Sequence, residues 1–232
     1  MRKWFGLFII TCSFLFFIST SQASYDGILL GDFSRNSVLY QSITPNYSRS
    51  LNDIIVLPRQ HFNQREAANI INRINALPPS LLQDIDNKGI TLKLFTGKLT
   101  DNPTASALSG QIPRGYQTKT TWDDVPGVGG SEVVLVKIGC SEQGKGHGSI
   151  NLELHELAHS IDHYVYDDTS QKQEFHDIWE KEHDQLFPGN SYFNYQEEYF
   201  AETFAMYYLN KDSKNELKIK APNTYKFFEN IL

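Results

Sequence analysis

Cysteine is nearly absent. The 232-residue chain holds two, Cys12 and Cys140, and the first falls in an N-terminal run that reads as a removable leader. One remaining thiol excludes an intrachain disulfide, so the fold must rest on its core and on any bound ion. Long apolar runs are missing beyond the start of the chain. Met1-Arg2-Lys3 is a short basic opening, Trp4 to Ile18 is almost unbroken apolar sequence, and Ser21-Gln22-Ala23 places small residues where a signal peptidase reads. That pattern predicts a secretory signal cleaved after Ala23, because the run is too short for a comfortable membrane span. No later stretch approaches its length, so no membrane span is expected after signal removal. Excess positive charge is lacking too. The formal charge is −6, and loss of Arg2 and Lys3 with the signal moves it to −8. A mildly acidic secreted chain argues against nucleic acid and anionic membrane surfaces as partners. Repeats, low-complexity tracts and a Pro/Ser linker are also absent. Residues 24–232 therefore read as one domain, and 40% hydrophobic content is ample for a sizeable core.

What the chain does have is the stretch Asn151 to Ser160, NLELHELAHS. His155, Glu156 and His159 within it form the H-E-x-x-H arrangement. On a helix, residues four apart share a face, one turn above the other. Two imidazoles so placed can hold one Zn²⁺, and the Glu beside the first can act as general base on the water at the metal. Leu152, Leu154, Leu157, Ala158 and Ile161 surround the motif with helix formers and an apolar stripe. The competing reading is a satisfied pair of core histidines. With seven His in the whole chain, it needs the pentad to arise by accident.

A catalytic zinc site takes three protein ligands and keeps one open position. The pattern with a third His six residues after the second fails, because the required Gly and His positions hold Asp162 and Val165. His163 continues the line of His155 and His159. Three imidazoles in a straight line cannot meet at one tetrahedral ion, so His163 reads as a supporting or surface residue. A carboxylate from a later helix remains. Glu197, Glu198 and Glu202 cluster in YQEEYFAETFAMYY. Glu198 and Glu202 share a helix face, and one could ligate the metal while the other orients a ligand His. The bland alternative is a solvated acidic patch at a helix N-terminus, which the helix dipole also favours.

Ser24 to Ser50 is polar with little periodicity and is expected as an extended N-terminal arm. Asp53 to Leu57 reads as a short buried strand closed by Pro58. Asn63 to Leu77 reads as a helix, with Asn63 as N-cap and Glu66 three residues on, ended by Pro78-Pro79. Ser80 to Asn87 is a shorter helix stopping at Gly89. Ile90 to Phe95 alternates like a half-buried strand, and Glu132 to Ile138 is the best strand pattern in the chain. Between them, Asp101 to Gly130 is a long Pro- and Gly-rich loop region, more often functional than not in a compact domain. Gly139 to Gly148 is expected as a flexible turn into the motif helix, which would begin near Ser149. Further helices are expected at Gln171 to Asp184, Gln196 to Asn210 and Thr224 to Leu232, with a loop over Gln185 to Tyr195. Strands first and helices later predict an α+β fold, with a small N-terminal sheet and a mostly helical C-terminal half.

Five stretches together carry a resemblance: KLTD at Lys98 to Asp101, TWDDVPG at Thr121 to Gly127, GKGH at Gly144 to His147, INLELHE at Ile150 to Glu156 and EEYFAE at Glu197 to Glu202. From about Asp53 to its end, the chain resembles the secreted bacterial Pro-Pro endopeptidases, relatives of the anthrax lethal factor catalytic domain. The resemblance implies a zincin-like domain with one Zn²⁺ per chain. It implies a peptidase cutting between two prolines in proline-rich protein substrates, cell-surface adhesins among them. It also implies Glu198 as third metal ligand, Glu202 as a carboxylate behind the ligands, and a Tyr supporting the oxyanion: Tyr192, with Tyr195 as the other possibility. It matches Arg114-Gly115-Tyr116 to a family Lys before a Gly-Trp pair, and makes that Lys's ion pair one between Arg114 and Glu197. A Pro-Pro bond has no N–H and fixed dihedrals, so its cleft should have apolar and aromatic walls. Trp122, Tyr116 and Pro126 are the candidates, and Gly129 and Gly130 would let the substrate backbone come close. His147 would contact substrate or cap the motif helix. Two rivals stay open: a lethal-factor-type endopeptidase of other specificity, and a non-catalytic surface-binding module stapled by zinc.

Overall fold

The computed structural model describes residues 26–113 and 119–231. The expected signal segment, Arg114 and Tyr116 lie outside the described residues. The described chain opens with β1 (Ile28–Leu29), passes through two short helices, α1 (Val38–Ser42) and α2 (Leu51–Ile54), and enters β2 (Ile55–Leu57). The expected extended arm is thus a folded part of the domain. Leu30 and Leu39 are fully buried and Ile43 nearly so, while the Ser37 side chain accepts from the Tyr40 N–H to start α1. Isolated apolar residues in a polar stretch make no periodic pattern, yet each reaches the core once the chain curls back on itself.

Helices α3 (Gln64–Asn75) and α4 (Pro79–Asn87) follow. The Asn63 side chain accepts from the Arg65 and Glu66 N–H groups, as its N-cap position demands. Pro79 sits in the first turn of α4, where its missing N–H has no helical partner to lose. Three strands, β3 (Thr91–Phe95), β4 (Gly127–Val128) and β5 (Val133–Lys137), complete a five-stranded sheet of order β1-β2-β3-β5-β4. The β2-β3-β5 centre is parallel, and β1 and β4 are antiparallel edges. The expectation of a half-buried β3 is corrected: all five residues are buried, Lys93 included. A central strand between parallel neighbours is covered on both faces.

The C-terminal half is helical: α5 (Leu152–Tyr164), α6 (Gln173–Leu186), α7 (Gln196–Leu209), α8 (Lys211–Lys220) and α9 (Pro222–Asn230). Helix α8 was not anticipated, because KDSKNELKIK buries only Ser213 and Leu217. Its signal was Asn210, whose side chain accepts from the Asp212 and Ser213 N–H groups. An aromatic core of Phe175, Tyr199, Phe200, Phe204 and Phe228 sits between α6, α7 and α9. The buried Glu182 carboxylate accepts from both backbone and side chain of Asn223 and Thr224, tying α6 to the start of α9. Among the described residues, no helix is long and apolar enough to cross a membrane.

Candidate active site

Helix α5 starts three residues later than Ser149. Asn151 is its N-cap, with the side chain accepting from the Leu154 N–H at 3.0 Å. That start sets the register that turns His155, Glu156 and His159 toward one cavity. Helix α7 packs against α5 and carries Glu198 and Glu202 into the same place. His155 Nε2 lies 3.2 Å from Glu198 Oε2, His159 Nε2 lies 3.4 Å from that oxygen, and the two ring nitrogens are 3.3 Å apart. Zinc bonds to His and carboxylate ligands of about 2.0–2.2 Å place tetrahedral ligand atoms about 3.3–3.5 Å apart. The triangle therefore has the dimensions of a three-ligand metal site, and among the described residues these three form the one group that could hold an ion.

Glu202 stands behind this triangle. Its Oε2 is 3.0 Å from His155 Nδ1, and its Oε1 accepts from the Ile150 N–H at 2.8 Å. A carboxylate there accepts a hydrogen bond from Nδ1–H and leaves the Nε2 lone pair facing the other two ligand atoms. Burial disfavours a charged His155, but hydrogen bonds with Glu198 and Glu202 outweigh it and lift its pKa to about 10. Burial also works against the Glu198 carboxylate, yet hydrogen bonds with His155 and His159 hold it below the usual carboxylate range. The cluster is built to gather positive charge. Glu156 goes the other way: burial raises its pKa, and the two imidazoles and the Gly129 backbone offset this only in part.

A cavity of about 960 Å³ opens over the triangle. Trp122, Val125, Pro126, Val128, Leu152 and Phe193 give it apolar walls, and Glu156, Tyr192 and Glu197 also face it. Tyr195 is absent from the lining and exposed. Trp122 does two jobs, lining the cavity and packing on a small cluster of Phe95, Leu99, Ala105 and Leu135. His163 also lines the cavity but stays out of the triangle, its Nδ1 lying 2.7 Å from Asp168 Oδ1.

Gly129, Gly130 and His147 line the cavity and also serve the fold. Gly129 lines the cavity, but what demands a glycine is the motif helix: an added Cβ would stand 1.9 Å from the Glu156 carbonyl oxygen. Gly130 owes its identity to a left-handed φ of +82°, and its N–H donates to Ser160 Oγ at 3.0 Å. His147 does not cap α5, since Asn151 does. Its Nε2 lies 2.7 Å from the Cys140 carbonyl, so it must donate there, and Nδ1, 3.0 Å away from Ser149 Oγ, accepts. His147 lines the cavity with both ring nitrogens committed to its own loop.

The comparisons with known proteins agree with this geometry. Residues 43–231 match the family described as "Anthrax toxin lethal factor, N- and C-terminal domain". A Pro-Pro endopeptidase from Clostridioides difficile (strain 630) is 44% identical over 183 residues, which cover 78% of this chain and 83% of that protein. The chain belongs to the Pro-Pro endopeptidase family. A second Pro-Pro endopeptidase, from Paenibacillus alvei, is 40% identical over 183 residues, 78% of this chain and 84% of that protein. The solved structure of a Pro-Pro endopeptidase from Paenibacillus alvei superposes with a TM-score of 0.75 at 39% identity, covering 79% of this chain and all of that one. The α+β fold with its small sheet and helical C-terminal half is thus that of a Pro-Pro endopeptidase. Ser160 is a buried serine that accepts from the Gly130 N–H and donates to the Ser131 carbonyl at 2.7 Å. In this member of the Pro-Pro endopeptidases it stitches the turn at Gly130-Ser131, between β4 and β5, to the helix that carries Glu156. A serine directly after the second His carries no periodic signal, so only its contacts reveal it.

Proposed function

We propose that this chain is a secreted zinc endopeptidase that hydrolyses bonds between two prolines in proline-rich segments of surface or extracellular proteins, adhesins among them. The observation that carries the reading is the His155–His159–Glu198 triangle, with Glu156 beside it and Glu202 behind it. His155, His159 and Glu198 would hold one Zn²⁺ per chain. Bound there, zinc would act as a Lewis acid and lower the pKa of water at its open position to about 7.

The chain's own residues do the rest. Glu156 takes a proton from the attacking water and delivers it to the departing proline nitrogen. A carboxyl whose pKa burial has raised is a better proton acceptor for that step. The Tyr192 hydroxyl, on the cavity wall, donates to the oxyanion as it develops, a contribution of about 3 kcal/mol where such donors have been removed. The apolar walls suit a substrate that offers no N–H at the bond to be cut. Glu197 at the rim is the partner the reading assigns to Arg114, and Tyr116 would add to the aromatic wall. Residues 1–23 are taken as the signal that directs export, and residues 24–232 as the single catalytic domain.

A peptide library with central Pro-Pro bonds tests the reading, digested at neutral pH with and without a chelator. Cleavage between the prolines that the chelator abolishes is the expected result, and an intact library refutes the specificity. Glu156→Ala should keep one zinc per chain and lose turnover. If Glu156→Ala cleaves as well as the parent, a structural zinc is the better account. The departure at Arg114-Gly115-Tyr116 favours one second reading, an endopeptidase of this type with a shifted sequence preference. Mass-spectrometric mapping of the cut sites separates the two.

A further inference from the structure

Asp123 follows the cavity-wall residue Trp122, and its carboxylate gathers donors from across the loop region. Its Oδ1 accepts from the Thr100 hydroxyl at 2.7 Å and the Ser109 hydroxyl at 3.0 Å. Its Oδ2 accepts from the Gly110 N–H at 2.7 Å and the Thr121 hydroxyl at 3.0 Å. Its backbone carbonyl accepts from the Leu99 N–H at 3.3 Å. Among the described residues no Lys or Arg pairs with it. Four donors therefore converge on one half-buried carboxylate from positions 100, 109, 110 and 121, which the sequence scatters over more than twenty residues. The same knot carries the Trp122 N–H to the Gln111 carbonyl, at 2.8 Å. Trp122, between Thr121 and Asp123, and Pro113, two residues beyond Gln111, both face the cavity.

We propose that Asp123 is a positioning residue for substrate binding: its carboxylate anchors the 109–111 turn, to which Trp122 is bonded, and so fixes Trp122 as the wall on which the apolar, proline-rich substrate lies. The inference rests on the peptidase reading above for its substrate, and on the hydrogen bonds alone for its geometry. Hydrogen bonds to a charged acceptor are stronger than neutral ones, and no hydrophobic packing reproduces four convergent donors. Loss of the carboxylate frees both sides of the knot at once. Asp123 touches neither the triangle nor Glu156, so the effect belongs to binding and not to the chemical step.

The test uses the full chain labelled with 5-fluorotryptophan, with Trp122→Phe to assign the Trp122 resonance, and steady-state kinetics on a Pro-Pro peptide. Asp123→Ala should raise KM roughly tenfold with kcat changed less than about twofold, the pattern of lost uniform binding. It should also move the Trp122 fluorine resonance toward its solvent-exposed position. Asp123→Asn keeps one acceptor oxygen for Gly110 and Thr121 and should restore most of both readouts. Thr121→Val, which removes a single donor, should give a smaller shift in the same direction and serves if Asp123→Ala does not fold. A lower melting temperature with KM and the Trp122 resonance unchanged overturns the proposal, and so does a fall in kcat at constant KM. If the parent chain cleaves no Pro-Pro peptide, the substrate reading fails, while the resonance still decides whether Asp123 positions Trp122.

Discussion

Gly129→Ala is the sharpest perturbation the structure offers. An ideal Cβ at this position falls 1.9 Å from the Glu156 carbonyl oxygen, 2.7 Å from its carbonyl carbon and 3.0 Å from its Cα. Carbon–oxygen contacts do not normally close below about 3.3 Å, so strand and helix must part by more than about 1 Å. Both sides of the clash are backbone, and no side chain can rotate away. Overpacking of this kind costs about 3 kcal/mol, the upper end of its usual range. For a domain of this size that is a melting point lower by roughly 6–12 °C. The clash lies at the general base itself, and a misplacement of about 1 Å there costs on the order of a hundredfold in rate. Two other glycines of the cavity lining calibrate the result. Gly130→Ala meets only His159 Cβ at 3.8 Å, but must adopt a φ of +82°, a strain of about 1 kcal/mol. Gly148→Ala finds nothing within 4 Å and no left-handed φ, so it should stay within about 0.5 kcal/mol of the parent. The assay is thermal unfolding of the three variants beside kcat/KM on a Pro-Pro peptide. If Gly129→Ala melts and turns over like Gly148→Ala, the close approach of strand and helix is wrong.

The other predictions concern the site and its supports. Glu202→Gln leaves His155 Nδ1 without an anionic partner and should weaken zinc affinity by about 10–100-fold in a chelator competition, the size of effect known for such outer carboxylates. Tyr192→Phe should lower kcat by about a hundredfold or more with little change in KM, whereas Tyr195→Phe should leave both alone; equal effects would refute the assignment of the oxyanion donor. Asn151→Ala removes the N-cap of α5 and should cost about 1 kcal/mol in urea unfolding. Hydrogen bonds, that from Thr100 first, hold the Asp123 carboxyl below the usual carboxylate range. Its contribution to stability is therefore complete above the unfolded value of about 3.9 and is lost as pH falls through the lower folded value. Asp123→Asn should flatten the acid side of the stability curve, and an unchanged acid side would count against the clasp.

Much of the site was legible because its signals are local. The His155–Glu156–His159 spacing is a statement about one helical turn, and helical turns are the same in every protein. Asn63 as N-cap and the breaks at Pro78-Pro79 and Gly89 are equally local, and the structure agrees with each to within a few residues. Other errors share one cause. Leu30, Leu39 and Ile43 are isolated apolar residues in a polar stretch and give no periodic signal, yet all three are buried. Each was misread because its partner lies elsewhere in the chain.

The sequence by itself determined that two imidazoles and a carboxylate would share one face of a helix, since that needs only backbone geometry and four residues of spacing. Which distant acid completes the triangle was left by spacing among Glu197, Glu198 and Glu202. Tertiary packing of α7 against α5 decided it, bringing Glu198 to within 3.2–3.4 Å of both rings and putting Glu202 behind one of them. The same packing set Gly129 against Glu156 and gathered four donors on Asp123. Such contacts join residues tens of positions apart, and their energies depend on distances that no local pattern of residues encodes.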